Sequence, residues 1–172
     1  MWGRTLFPMG FLASGQTPAA PDYFPLAVGN RWEYSVTGST ERRVGEVLGS
    51  EEIAGKTWFR LRWLSEKEYW VRTDGRQMME LDRAANQETV WVDFAGPEAA
   101  PSAGGLAVCV GAPTPVGGAV FQVTRETCLG TGGAHVVYSA SLGMVERTYR
   151  GFAGDTTMSL VSSRIQGVNW NP

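Results

Sequence analysis

The stretch DYFPLAVGNRWEYSVT at residues 22–37 constrains the fold more than any other, because its second half alternates polar and apolar residues without a break. In an extended strand Trp32, Tyr34 and Val36 fall on one side, and Arg31, Glu33, Ser35 and Thr37 on the other. The period of two returns in later stretches, at residues 56–64, 69–73, 77–82 and 89–94 among others, with turn residues between. No stripe of helical period accompanies them. Further strands are expected at 106–110, 119–129, 134–140, 144–149 and 156–165, at a spacing near ten residues. The expectation is an all-β, antiparallel meander forming a closed or half-open barrel, with a β-sandwich as the alternative.

A chain of 172 residues is most economically one domain, able to bury roughly 70% of the surface its unfolded form exposes. Residues 23–172 are read as that domain. Its 22 glycines, 9 prolines and seven tryptophans, within 43% hydrophobic residues, describe short elements joined by tight turns rather than a disordered polymer. A formal charge of −2 gives no basic surface for phosphate, so nucleic acid is not an expected partner. No run of about 18 apolar residues is present, and no transmembrane helix is expected.

Residues 1–22 read as a remnant signal segment and tether. Arg4 supplies a positive charge, residues 6–13 a short apolar core, and Ala13-Ser14-Gly15 a small-x-small site before Gln16. Cleavage after Gly15 is expected, with the protein periplasmic or extracellular. The other reading is a disordered start that is never removed. No cysteine follows the small residues, so a lipid anchor is not expected. Cys109 and Cys128 are spaced so that one hairpin could close them into a disulfide, or they are two small buried thiols.

Four phrases carry a resemblance. Pro25-Leu26-Ala27-Val28-Gly29-Asn30-Arg31-Trp32-Glu33-Tyr34 fits a PL-x-x-GN-x-W-x-Y opening, and residues 53–59 and 69–75 add IAGKTWF and YWVRTDG. Ser141-Leu142-Gly143-Met144-Val145 looks like a G-x-G-x-V turn and strand with its first glycine replaced by Ser141. With these phrases the chain resembles bacterial exported proteins and lipoproteins of unassigned activity, over most of residues 23–167. The resemblance implies an all-β fold and export. It transfers no active site.

Phe59, Leu61 and Trp63 share one face, and Tyr69, Val71 and Thr73 share one across a polar connection. Bringing these faces together requires an odd-length loop of three or five residues around Glu66. The opposite face then carries Trp58, Arg60 and Arg62 with Trp70 and Arg72. With a three-residue loop Arg62 lies opposite Trp70 and Trp58 opposite Asp74. Such a patch would stack a sugar ring or hold an anion, unless the arginine stems merely cover the tryptophans. The apolar face, including Trp32 and Tyr34, is either core or the lining of a pocket for an apolar ligand.

His135 is the only histidine, which rules out a zinc site built from several imidazoles. No serine sits in a nucleophile elbow. A hydrolase reading would rest on His135 or on a carboxylate pair among Glu51, Glu52, Glu66 and Glu68. Glycine pairs at 104–105, 117–118 and 132–133 introduce no helix and hold no phosphate. No cofactor or metal is expected. The resulting expectation is non-catalytic binding of an apolar or carbohydrate ligand, with an interaction module of the cell envelope, partnered by another envelope protein, as the alternative.

Overall fold

The computed structural model describes residues 22–94, 108–110, 114–115, 120–127, 133–151 and 153–171, with side chains in 22–94, 134–151 and 153–171. The fold is all-β, an open, strongly curled antiparallel half-barrel. Of the two architectures the alternation allows, the curled sheet is therefore the one formed. Residues 1–21 lie outside the described residues, as do residue 128 and residues 95–107, so neither the leader nor a bond from Cys109 to Cys128 is described.

Strand β1 (Arg31–Val36) is the spine of the sheet. One wing runs outward from it through β2 (Arg42–Ile53), β3 (Lys56–Trp63), β4 (Glu68–Asp74), β5 (Gln77–Asp82) and β6 (Gln87–Asp93). β7 (Val108–Val110), β8 (Thr114–Pro115) and β9 (Val120–Thr127) precede β10 (Gly133–Ser139), β11 (Gly143–Gly151) and β12 (Gly154–Ile165). On the other side of β1 the order is β12, β11, β10, β9 and β7, while β8 pairs with β9 and the short β13 (Val168–Trp170) with β12. Among the described residues no ladder joins β6 to β7, and the half-barrel stays open there.

The hairpin corners follow the chemistry expected of them. Ala54 and Gly55 turn with φ of 52° and 73°, the pair of left-handed residues that a two-residue hairpin needs. Asp82 caps the β5–β6 corner by accepting from the amides of Ala84 and Ala85 at 2.9 and 3.1 Å, and Asn86 closes it at φ 49°. That corner holds no helical turn.

Bulges curl the sheet. Register slips at Leu48 in β2, at Trp91 in β6 and at Val145 in β11, each leaving two residues opposite one. The core gathers on the concave side: Trp32, Tyr34, Val47, Leu61, Trp63 and Val71 from one wing meet Val136, Tyr138, Met144, Met158 and Leu160 from the other. The entry segment fills the hollow between them. Phe24 lies 5.3, 5.0 and 6.4 Å, between ring centroids, from Trp32, Trp63 and Tyr138, and Tyr23 lies 5.2 Å from Phe94. Gly45 faces Trp63 across the β2–β3 ladder, and a Cβ there would overlap the indole.

The opening phrase works as a joint. Buried Asn30 donates through Nδ2 to the Pro25 carbonyl at 3.0 Å and accepts from the Gln166 amide at 2.7 Å, tying the entry segment to the end of β12. Two residues on, Trp32 Nε1 donates to Leu142 O at 2.5 Å, and the Tyr34 hydroxyl donates to Met144 O at 2.9 Å. The Ser141 amide closes the set on Asp22 O at 2.7 Å. PLAVGNRWEY and SLGMV are therefore two halves of one buried contact.

Candidate functional site

The Trp58, Arg60, Arg62, Trp70 and Arg72 face is assembled, with the hairpin in the longer of its two allowed loops. Arg62 pairs with Glu68, so residues 63–67 form the connection, and Arg60 rather than Arg62 stands opposite Trp70. Trp58 meets Arg72, whose guanidinium carbon lies 5.2 Å from the indole centroid, in place of Asp74. Arg72 also reaches Asp74 at 2.7 Å and Glu88 at 2.8 Å. Arg62 reaches Glu46 at 2.9 Å and Arg60 reaches Glu68 at 3.6 Å. Arg83 lies over Trp70 at 4.7 Å while pairing with Glu51 at 3.1 Å.

Every guanidinium of this face is thus answered by a carboxylate of the chain itself. Trp58 is only 1% exposed, so no indole face is offered there for a sugar. Burial alone would lower the Arg72 pKa, but Glu88 and Asp74 hold its charge and raise it. Glu88 is lowered in turn by its hydrogen bonds from Lys56, at 2.7 Å, and from Arg72. Arg72 Nε remains buried without an acceptor among the described residues. The arrangement is a closed ionic ladder over two tryptophans.

His135 stands opposite Thr148 in β11 and Thr124 in β9, and its Nε2 is buried with no hydrogen-bond partner among the described residues. Glu51 pairs with Arg83, Glu68 with Arg60, and Glu52 accepts from Thr57. No group of three or more His, Cys, Asp or Glu side chains among the described residues has the placement to hold a metal ion.

A different constellation lies at the mouth of the half-barrel. Tyr69 and Trp91 face each other with centroids 4.9 Å apart, and Lys67 Nζ stands 4.6 Å above the Tyr69 ring. On the other wing, in β11, the Arg147 guanidinium carbon lies 4.3 Å from the centroid of Tyr149. Burial raises the Tyr149 pKa, Arg147 pulls it down and the Tyr69 phenol raises it further. Trp91 and Arg147 line a small hollow of about 50 Å³ whose floor is Phe24, Trp63, Val136 and Met144.

What marks this mouth is two cations, Arg147 and Lys67, lying against rings with no carboxylate partner; among the described residues Arg76 and Arg164 also lack such a partner but stand over no ring. Roomier clefts of about 330 and 320 Å³ lie elsewhere. In the first Arg31 approaches Glu33 at 3.9 Å, and in the second Arg43 and Arg62 pair with Glu41 and Glu46 at 3.1 and 2.9 Å. At the mouth, Arg147 and Lys67 have no carboxylate within ion-pair distance among the described residues, and Arg147 Nε is buried without an acceptor. Glu80, the carboxylate that shares the concave side of β5, stands opposite Val71.

Strict alternation hides this site. It places Trp91 opposite to Val92, and Arg147 with Val145 away from Met144. The bulges at Trp91 and Val145 reset the count, bringing Trp91 to Tyr69 and Arg147 and Tyr149 to the concave side. A spacing of three between the inward residues Met144 and Arg147 is the trace it leaves in the sequence.

A scan against protein-family models matches none, and a search of curated proteins gives no match either.

Proposed function

We propose that this chain is a non-catalytic binding protein whose ligand, a sugar or a compact apolar molecule, lies across the mouth formed by Tyr69, Trp91 and Tyr149. The observation that carries the reading is the Tyr69–Trp91 pair at 4.9 Å, an aromatic surface at the rim of a hollow and joined to it through Trp91. Tyr69 and Trp91 are half-buried against the core, and aromatic rings held in this way stack on sugar or ring-shaped ligands at little cost in side-chain freedom. The hollow is far smaller than the roughly 300–1,000 Å³ of a pocket that encloses a drug-sized molecule, so the ligand rests on the mouth and is not swallowed. This argues against a lipid held inside the barrel. Export to the periplasm or beyond belongs to the same proposal and rests on Arg4, the apolar residues 6–13 and the small residues 13–15.

Native mass spectrometry of the full chain from its own host tests the reading. The expected result is a reproducible added mass that Trp91→Ala removes, on a chain beginning at Gln16. A bare mass, insensitive to Trp91, overturns the binding reading and favours the envelope-interaction alternative. One feature supports that alternative: among the described residues β6 pairs only with β5, and its Val90 is 39% exposed, leaving an edge that another chain's strand would extend.

A further inference from the structure

The ionic ladder over Trp58 and the mouth both set cations against aromatic rings, and they differ in what answers the charge. On the ladder each guanidinium meets a carboxylate of the chain; at the mouth the positive groups, Arg147 and Lys67, lie against rings and meet no carboxylate among the described residues. A partly buried guanidinium with an unanswered Nε–H is costly, because lost hydration is not replaced. An anion supplied from outside would supply the missing acceptor. We infer that the mouth recognises a carboxylate borne on a six-membered ring, the ring lying on Tyr69 and Trp91 and the carboxylate accepting from Arg147, with Lys67 as a second, more hydrated positive charge.

The chemistry fixes both halves of this ligand. A guanidinium matches a planar carboxylate through two parallel N–H donors, which a lone ammonium does not. Arg147 is oriented by its contact with Tyr149 at 4.3 Å, so little side-chain freedom is lost on binding. A flat or ring-shaped body suits stacking on the two rings, and the hollow behind them, about 50 Å³, has no room for a long chain. Two sources share this chemistry, an aromatic acid and an acidic sugar. The aromatic acid offers a π face to the rings, and the sugar offers its axial C–H groups.

This inference rests on the binding proposal above, and paired probes separate the two. Isothermal titration of the full chain would use 2-naphthoate against 2-naphthamide, and an oligogalacturonate against its methyl ester. Each pair keeps the shape and removes the charge. The expected result is that one acid binds at least tenfold tighter than its neutral partner, and which pair responds identifies the source. Arg147→Met should collapse that ratio to near one while leaving the neutral partner's affinity in place, and Arg147→Lys should retain part of it. Because Met relieves a buried, unanswered donor, the variant is expected to fold, which near-ultraviolet circular dichroism checks; if it does not, the charge-retaining Lys variant and the wild-type acid-to-neutral ratio still decide. Equal affinities for acid and neutral partner overturn the carboxylate inference and leave the binding proposal standing. Absence of binding by all four probes at millimolar concentration overturns the inference. Loss of the host-derived added mass overturns the binding proposal with it.

Discussion

Ser141 and Gly143 flank the carbonyl that receives the Trp32 indole, and both hold left-handed backbone, at φ 65° and 89°. A Cβ on Gly143 would stand 3.1 Å from Trp32 Nε1, so Gly143→Ala combines strain with displacement of a buried donor. It is expected to cost about 1–3 kcal/mol in urea unfolding. Ser141→Gly has the opposite sign, since glycine enters that region freely, and should add roughly 0.5 kcal/mol after its greater unfolded-state entropy is counted. Glu88 gives a test by pH. Lys56 and Arg72 lower its pKa in the folded chain, so its contribution is present above the unfolded value, about 4.3, and is lost as pH falls through the folded one. Glu88→Gln should therefore melt below the parent at pH 7, and the two melting curves should converge as the pH falls from the unfolded value through the lower, folded one.

At the scale of elements, the strands were legible because side chains on a half-buried sheet must alternate, and Trp32 and Tyr34 do so with both fully buried. The turns were legible where a special backbone angle demands Asn, Gly or Asp, as at Gly55 and Gly75, φ 73° and 60°. What escaped was each place where the count of two is broken. A bulge depends on which partner residue competes for the ladder, and that partner is known only once the sheet is formed. Hence the Trp58–Arg72 face could be read from one hairpin, whereas the mouth, built from both wings and two bulges, could not. The short β13 escaped for a related reason: its three residues are too few to establish a period. Gly45 illustrates how pairing explains composition afterwards. It is in β2 to leave room for Trp63, and Gly45→Ala is expected to cost about 1–3 kcal/mol by overpacking, read from the denaturation midpoint at unchanged slope.

For the whole molecule, the segment before β1 acts as a keystone, because Phe24 touches rings from both wings and Phe94 meets Tyr138 across the hollow at 5.1 Å. Phe24→Ala should cost about 3–5 kcal/mol and make the protein bind an apolar dye at the enlarged hollow, while an unchanged melt would show that the wings cohere without it. The central place of β1 has a further consequence, in time. Its pairing with β2 can form as soon as the first hairpin emerges, but its other edge waits for β12, whose partners lie more than a hundred positions later, such as Ser163 for Trp32. Such distant pairing makes closure slow relative to local hairpins. Until then the edge carrying Trp32 and Tyr34 stands open, so a nascent chain is most prone to pair wrongly with its neighbours at the strand it makes first.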